Sequence, residues 1–186
     1  MKRRILYIVF LIGVLFPMAG KAQLLAVKTD GLKWALMSPN IGVEVVTGDK
    51  TSIDFSAYGN YKPWGKDMKM VVIQPEFRYW FNGRPMVREY IGFSLLAATH
   101  DITWGRHIYQ GDAIGGGLTF GYVFDIGRRW NIEVYAGFGA IAYFQKEYYV
   151  NDNYEDYENG SGSKNNSTGY SLLPTKLGVA ISYILK

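Results

Sequence analysis

The sequence predicts an all-β protein: an eight-stranded antiparallel up-and-down transmembrane β-barrel, preceded by a cleaved signal peptide. Three observations carry that prediction. Segments of about ten residues alternate apolar and polar side chains with period two, the pattern of strands with one apolar and one polar face. Beyond residue 23 no apolar run reaches the roughly 20 residues that a spanning helix needs. Short connections containing Gly and Asn alternate with longer polar ones, as hairpin turns and loops do at opposite ends of a barrel.

Residues 1–22 read as an export signal. Lys2, Arg3 and Arg4 form a basic start, residues 5–16 an apolar core, and Gly20, Lys21 and Ala22 place small residues before a cut at Gln23. The expected domains are therefore 1–22, signal peptide, and 23–186, barrel. The chain has no cysteine, which excludes a disulfide framework, a thiolate metal site and the lipoprotein route of anchoring. It carries 20 Lys and Arg against 16 Asp and Glu, but four of the bases and none of the acids lie in residues 1–22. The mature chain is formally neutral, so nucleic-acid binding has no electrostatic basis.

The first expected strand is 25–36, weakly patterned and carrying Lys28 and Lys33. In 41–47, Ile41, Val43 and Val45 alternate with Gly42 and Glu44, and in 52–61, Ile53, Phe55 and Ala57 oppose Asp54, Ser56 and Tyr58. The fourth, 71–81, is the clearest: Ile73, Pro75, Phe77, Tyr79 and Phe81 share one face, while Gln74, Glu76, Arg78 and Trp80 share the other. A helical period would mix Glu76 and Arg78 into any apolar stripe. Pro75 cannot donate to a ladder, so a bulge or a missing bond is expected there. Strands 90–99, 113–124, 130–143 and 175–185 repeat the pattern, their second faces rich in glycine, hydroxyls and charge.

Polar inside and apolar outside fits lipid as the surrounding solvent, and small inward residues let eight strands close. A soluble ligand-binding barrel would invert the two faces. The connections 48–50, 82–85 and 125–129 read as short turns at the periplasmic end, and 62–70, 100–112 and 144–174 as long loops at the other. Residues 37–40 are a short exception on the long-loop side. Residues 151–168, rich in Asn, Asp, Ser, Gly and Tyr, carry no pattern that could pack.

The inward face carries Glu44, Asp54, Glu76, Arg78 and Glu133. Four carboxylates in a narrow lumen need cations, which Arg78 and Lys28 supply, so this set reads as a structural ion-pair plug. Segments 48–55 and 127–134 share a turn glycine, then Ile and an inward acid, which puts Asp54 and Glu133 at equal heights. A weaker alternative site is the histidine pair His100 and His107, placed by this reading in the 100–112 loop beside Asp101, Arg106 and Asp112. Outer-membrane lipid-modifying enzymes use rim histidines. No nucleophile elbow, HExxH or spaced Ser, His and acid accompanies these two. Catalysis, cofactors and metals are therefore not expected. Aromatic residues near strand ends, among them Tyr79, Phe81, Tyr90 and Trp130, suit lipid–water boundaries, whereas Trp64 and Trp104 in loops could stack on a ligand.

Residues 26–45 (AVKTDGLKWALMSPNIGVEV), 59–64 (GNYKPW), 74–81 (QPEFRYWF), 127–133 (GRRWNIE) and 173–184 (LPTKLGVAISYI) carry a resemblance. They are similar to a family of uncharacterised outer-membrane proteins of Bacteroidetes-type bacteria, a domain of unknown function. Asp30 stands where the family has Asn, and the chain ends in Ile-Leu-Lys, with Tyr183 as the last aromatic residue. The resemblance implies an outer-membrane barrel in contact with membrane lipid. Because some relatives are encoded near fimbrial components, it also implies fimbrial or other surface proteins as partners. The expected function is a structural or surface-scaffold role in the outer membrane, with no catalytic activity.

Overall fold

Eight strands follow one another around a closed ring, each antiparallel to its sequence neighbours, and β1 closes against β8. They are β1 (Leu25–Asp30), β2 (Asn40–Gly48), β3 (Thr51–Tyr61), β4 (Met68–Trp80), β5 (Arg88–Trp104), β6 (His107–Asp125), β7 (Trp130–Tyr149) and β8 (Ser167–Ile184). The structure is a computed structural model and describes residues 24–151 and 165–185. The expected signal segment 1–22 lies outside the described residues, as do residues 152–164 of the polar loop. Among the described residues no helix is long and apolar enough to cross a membrane.

The period-two reading sets the two surfaces of the ring. On β4, Ile73, Phe77, Tyr79 and Phe81 lie outward and exposed, while Gln74, Glu76, Arg78 and Trp80 are buried inside. The outer face continues around the ring through Phe55, Phe93, Leu118, Phe120, Val134 and Ile181. At Pro75 the β4–β5 ladder lapses after Ile73↔Ala97 and resumes at Glu76↔Ser94 in the same register. The proline costs hydrogen bonds without a bulge.

Three expectations about element boundaries are corrected. The first strand ends at Asp30, not at residue 36, and a five-residue helix α1 (Gly31–Ala35) follows. Asp30 caps that helix, its Oδ1 accepting from the Lys33 amide at 3.0 Å. Asn40 clamps the same residue: its Oδ1 accepts from the Asp30 amide at 2.6 Å and its Nδ2 donates to the Asp30 carbonyl at 3.0 Å. The connection therefore spans 31–39, and the short exception at 37–40 disappears.

The second correction concerns the long loops. Residues 100–112 are the end of a hairpin, paired as far as Trp104↔His107 across Gly105 and Arg106. Strand β7 likewise runs on to Tyr149, and β8 begins at Ser167. The asymmetry between the two ends is thus largely one of strand length: β1 to β4 have 6, 9, 11 and 13 residues, and β5 to β8 have 17, 19, 20 and 18. Where both faces of a hairpin meet water, alternation has no energetic basis, so the sequence pattern fades while the pairing continues.

The third correction is a register shift in β8. Gly137 pairs with Lys176 but Phe138 with Pro174, so Thr175 is the extra residue of a bulge. Thr175 and Lys176 both become buried inside. Proline suits the site because a bulge needs one donor fewer. Glycine makes room for it: a Cβ on Gly117 would lie 2.9 Å from Thr175 Oγ1 and 2.5 Å from the Phe138 carbonyl oxygen. At Gly127, in the β6–β7 turn, nothing lies within 4 Å. Gly117→Val is therefore expected to destabilise the barrel by about 1–3 kcal/mol through overpacking. Gly127→Ala is expected to leave stability within about 0.5 kcal/mol. Urea midpoints of the two variants in one detergent compare them directly.

Candidate functional site

The interior at the short-turn end is a closed ion network. β2 supplies Glu44, β3 Asp54, β4 Glu76 and Arg78, and β7 Glu133, and all five are essentially excluded from solvent. The Arg78 guanidinium sits at the centre and meets every one of the four acids. Its Nε donates to Glu76 Oε1 at 2.6 Å and its Nη1 to Glu44 Oε2 at 3.0 Å. Its Nη2 reaches Asp54 Oδ2 at 3.3 Å and Glu133 Oε1 at 2.9 Å. The planar fork of Arg offers five donors in fixed directions, which is why one side chain serves four partners.

Two lysines bring the network to three cations against its four carboxylates. Lys28 on β1 pairs with Glu44, with Asp54 at 3.2 Å and with Glu133 at 2.9 Å. Lys176 on β8 pairs with Glu76 at 2.8 Å and Asp54 at 3.5 Å. Period two already pointed Lys28 inward. Lys176 was missed because it sits beside the bulge, where the alternation of β8 restarts. Its place on the polar face with Gly178, Ala180 and Ser182 is the signal that would have found it.

Neutral donors occupy the remaining acceptor sites. Tyr90 donates to Glu133, its ring lying 4.5 Å from the Arg78 guanidinium carbon. Trp80 Nε1 donates to Ser52 Oγ at 2.8 Å, and Ser52 passes its own proton to Glu44 Oε1 at 2.5 Å. Tyr90, expected at a lipid boundary, is instead 1% exposed and part of the plug. It points inward because the even-numbered residues Tyr90 to Leu96 lie inside, and Gly121 opposite leaves space for the ring. Below this layer the β4–β5 turn folds Met86 into the barrel, where Asn131 Nδ2 donates to its carbonyl at 3.1 Å.

Above it, Tyr135 donates to Asp30, and Lys33 Nζ lies 3.1 Å from the Tyr135 hydroxyl and 3.7 Å from Asp30 Oδ2. The capping residue of α1 is thus also the top of the network. A space of about 20 Å³ remains among Lys28, Asp54, Arg78 and Tyr135, on the scale of a single water.

The two histidines do not form a joint site. His100 lies on β5 and His107 on β6, rather than in a loop, and four ladder steps separate them. His100 Nε2 is 3.1 Å from Gln145 Oε1, whereas His107 Nδ1 is 3.8 Å from Glu147 Oε1 and its ring packs 4.3 Å from that of Tyr149. Alternation puts Asp101 and Asp112 on the opposite sheet face from His100. Trp64 and Trp104 remain 72% and 70% exposed at the long-hairpin rim. Nearby, Lys62 and Asp67 form a solvent-exposed pair at 2.9 Å, whose hydrogen bond lowers the Asp67 pKa and raises that of Lys62. Among the described residues, no group of three or more His, Asp and Glu gathers as a metal site.

Arg78→Met is expected to cost more than the loss of any single acid, about 3–5 kcal/mol, because it leaves four buried carboxylates to Lys28 and Lys176. Glu76→Gln should cost less, since Arg78 keeps three partners. Urea unfolding followed by tryptophan fluorescence in detergent ranks the two.

Among solved structures, the crystal structure of Neisserial surface protein A (NspA) is similar at 17% identity, with a TM-score of 0.43, covering 87% of this chain and 94% of that one. The curated proteins contain no match. The family described as "Protein of unknown function (DUF3575)" matches residues 6–185, nearly the whole length, and the chain belongs to that family.

Proposed function

We propose that the chain is a small integral outer-membrane β-barrel with a structural and surface-scaffold role, inserted after removal of residues 1–22. One observation carries this reading: the closed ring has its charges inside and its large apolar side chains outside. Phe55, Phe77, Phe93, Phe120 and Phe138, from five different strands, are each between 50% and 58% exposed. In water such a belt would be an aggregation surface; in a bilayer it is the face that insertion requires. A soluble ligand-binding barrel needs the opposite distribution.

The plugged lumen argues for scaffold over channel. Arg78, Lys28, Lys176 and their carboxylate partners fill the section through which an ion would have to pass, so conduction would require breaking several buried ion pairs. The long β5–β6 and β7–β8 hairpins then form the surface offered to partners, and a fimbrial or other surface protein is the partner class that the family resemblance implies. A lipid-modifying activity at the rim finds less support, because His100 and His107 are held by separate groups on β7.

The barrel is expected to remain in the outer-membrane fraction after alkaline carbonate washing. Recovery from the soluble periplasm would overturn the reading. Phe120→Arg should destabilise it by about 2–4 kcal/mol in lipid, the cost of a cation near mid-bilayer. Planar bilayers containing the purified barrel are expected to show no steady conductance. A His100→Ala, His107→Ala double variant should leave the lipid profile of the cell unchanged.

A further inference from the structure

A second cavity lies at the other end of the lumen, above the ion network, with a volume of about 480 Å³. That is within the range of small-molecule sites. It opens between the α1 connection, the β3–β4 loop and β8, and its wall is amphipathic. Leu36, Met68, Met70 and Leu177 give it an apolar side. Lys33, Lys66 and Lys176 also line it, and no carboxylate does.

Polar atoms at this cavity lack partners. Five buried side-chain oxygens in the described residues have no hydrogen bond, and three of them belong to residues lining it: Asn60 Oδ1, Gln74 Oε1 and Thr175 Oγ1. Gln74 is 1% exposed, and its Nε2 already donates to the Thr175 carbonyl at 3.0 Å. Its oxygen is left over. Buried groups of this kind are uncommon, and their concentration at one cavity marks a place where something else bonds.

The mouth is strained as well. Met37, Lys62 and Trp64 hold left-handed backbone conformations, with φ of 53°, 48° and 54°, although none is glycine. The Trp64 amide lies 3.3 Å from Met37 Sδ, joining the α1 connection to the β3–β4 loop across the opening. Strain of this kind persists where the surroundings hold it, and it gathers at ligand clamps.

We propose that this cavity binds one amphiphile, an acyl chain with an anionic head that also carries a hydroxyl or amide donor. The chain would lie along Met68, Met70 and Leu36. The donor would satisfy Gln74 and Asn60, and the negative charge would face Lys66 at the mouth, since Lys33 is paired with Asp30 and Lys176 with Glu76 and Asp54. Two sources share the acyl chain and the anionic head, free fatty acids and lysophospholipids with anionic heads, and only the lysophospholipids also carry the donor. The proposal needs the barrel to be folded, but not to be a scaffold or to reside in the outer membrane, so fractionation and binding can fail separately.

The test is native mass spectrometry and equilibrium titration of the purified, detergent-refolded chain with oleate, lysophosphatidylglycerol and lysophosphatidylcholine. One anionic amphiphile is expected to bind at a 1:1 ratio, about tenfold tighter than lysophosphatidylcholine, the worth of one charge-assisted hydrogen bond. Tighter binding of oleate or of lysophosphatidylglycerol identifies the head, oleate pointing to a head contact through Lys66 alone. Met70→Trp, which fills the cavity, should abolish binding. Lys66→Glu, at the exposed mouth and outside the ion network, should remove the anionic preference while the barrel keeps its heat-modifiable mobility on gels. Equal binding of all three probes, no binding by the folded wild type, or unchanged binding in both variants would overturn the proposal.

Discussion

Inside this barrel Arg78 forms ion pairs with four carboxylates drawn from β2, β3, β4 and β7, and the rest of the interior is arranged around that meeting. Buried charge is costly, and a pair rarely returns more than the desolvation it incurs. A network does better because each ion is shared: Glu44, Asp54 and Glu133 each see both Arg78 and Lys28, and Glu76 sees Arg78 and Lys176. Since its members come from six strands, the network can form only when the ring has closed in the correct register. It thereby specifies the closure as well as filling it.

Space sets the second constraint. An eight-stranded ring has room for long side chains only where the facing position is small. Gly92 faces Glu76, Gly121 faces Tyr90 and Gly178 faces Tyr135 and Asp30. The large ionic and aromatic groups and the glycines are therefore one feature seen from two sides. The bulge at Thr175 belongs with it, since it buries Thr175 beside Lys176, which alternation already turns inward at the height of Glu76 and Asp54.

The two ends of the lumen are consequently different in kind. Toward the short turns most polar atoms are matched, down to Trp80 donating to Ser52 and Ser52 to Glu44, with Asp54 Oδ1 and Thr119 Oγ1 left without a hydrogen bond. Toward the long hairpins the strands continue upward unevenly, the fill loosens, and unmatched oxygens appear on Asn60, Gln74 and Thr175. Asp30 stands at the division: it caps α1, accepts from Tyr135 and lies near Lys33, so the shape of the upper wall is tied to the charges below.

Strand identity, the number of strands and the inward set Glu44, Asp54, Glu76, Arg78 and Glu133 were all legible in the sequence, because a wall with an apolar outer face and a packed polar interior imposes period two on the residues it contains. Lys28 was legible on the same ground. The sequence could not show where a local competitor would win, as when the Asp30 cap and the Asn40 clamp turned residues 31–36 from strand to helix. Nor could it show pairing beyond the apolar belt, where 100–112 kept its ladder without keeping its pattern. The bulge at Thr175, the separation of His100 from His107 and the upper cavity came from the tertiary structure alone. Each depends on which residues of distant strands lie opposite one another, and register is a property of the closed ring, whereas alternation is a property of a single strand.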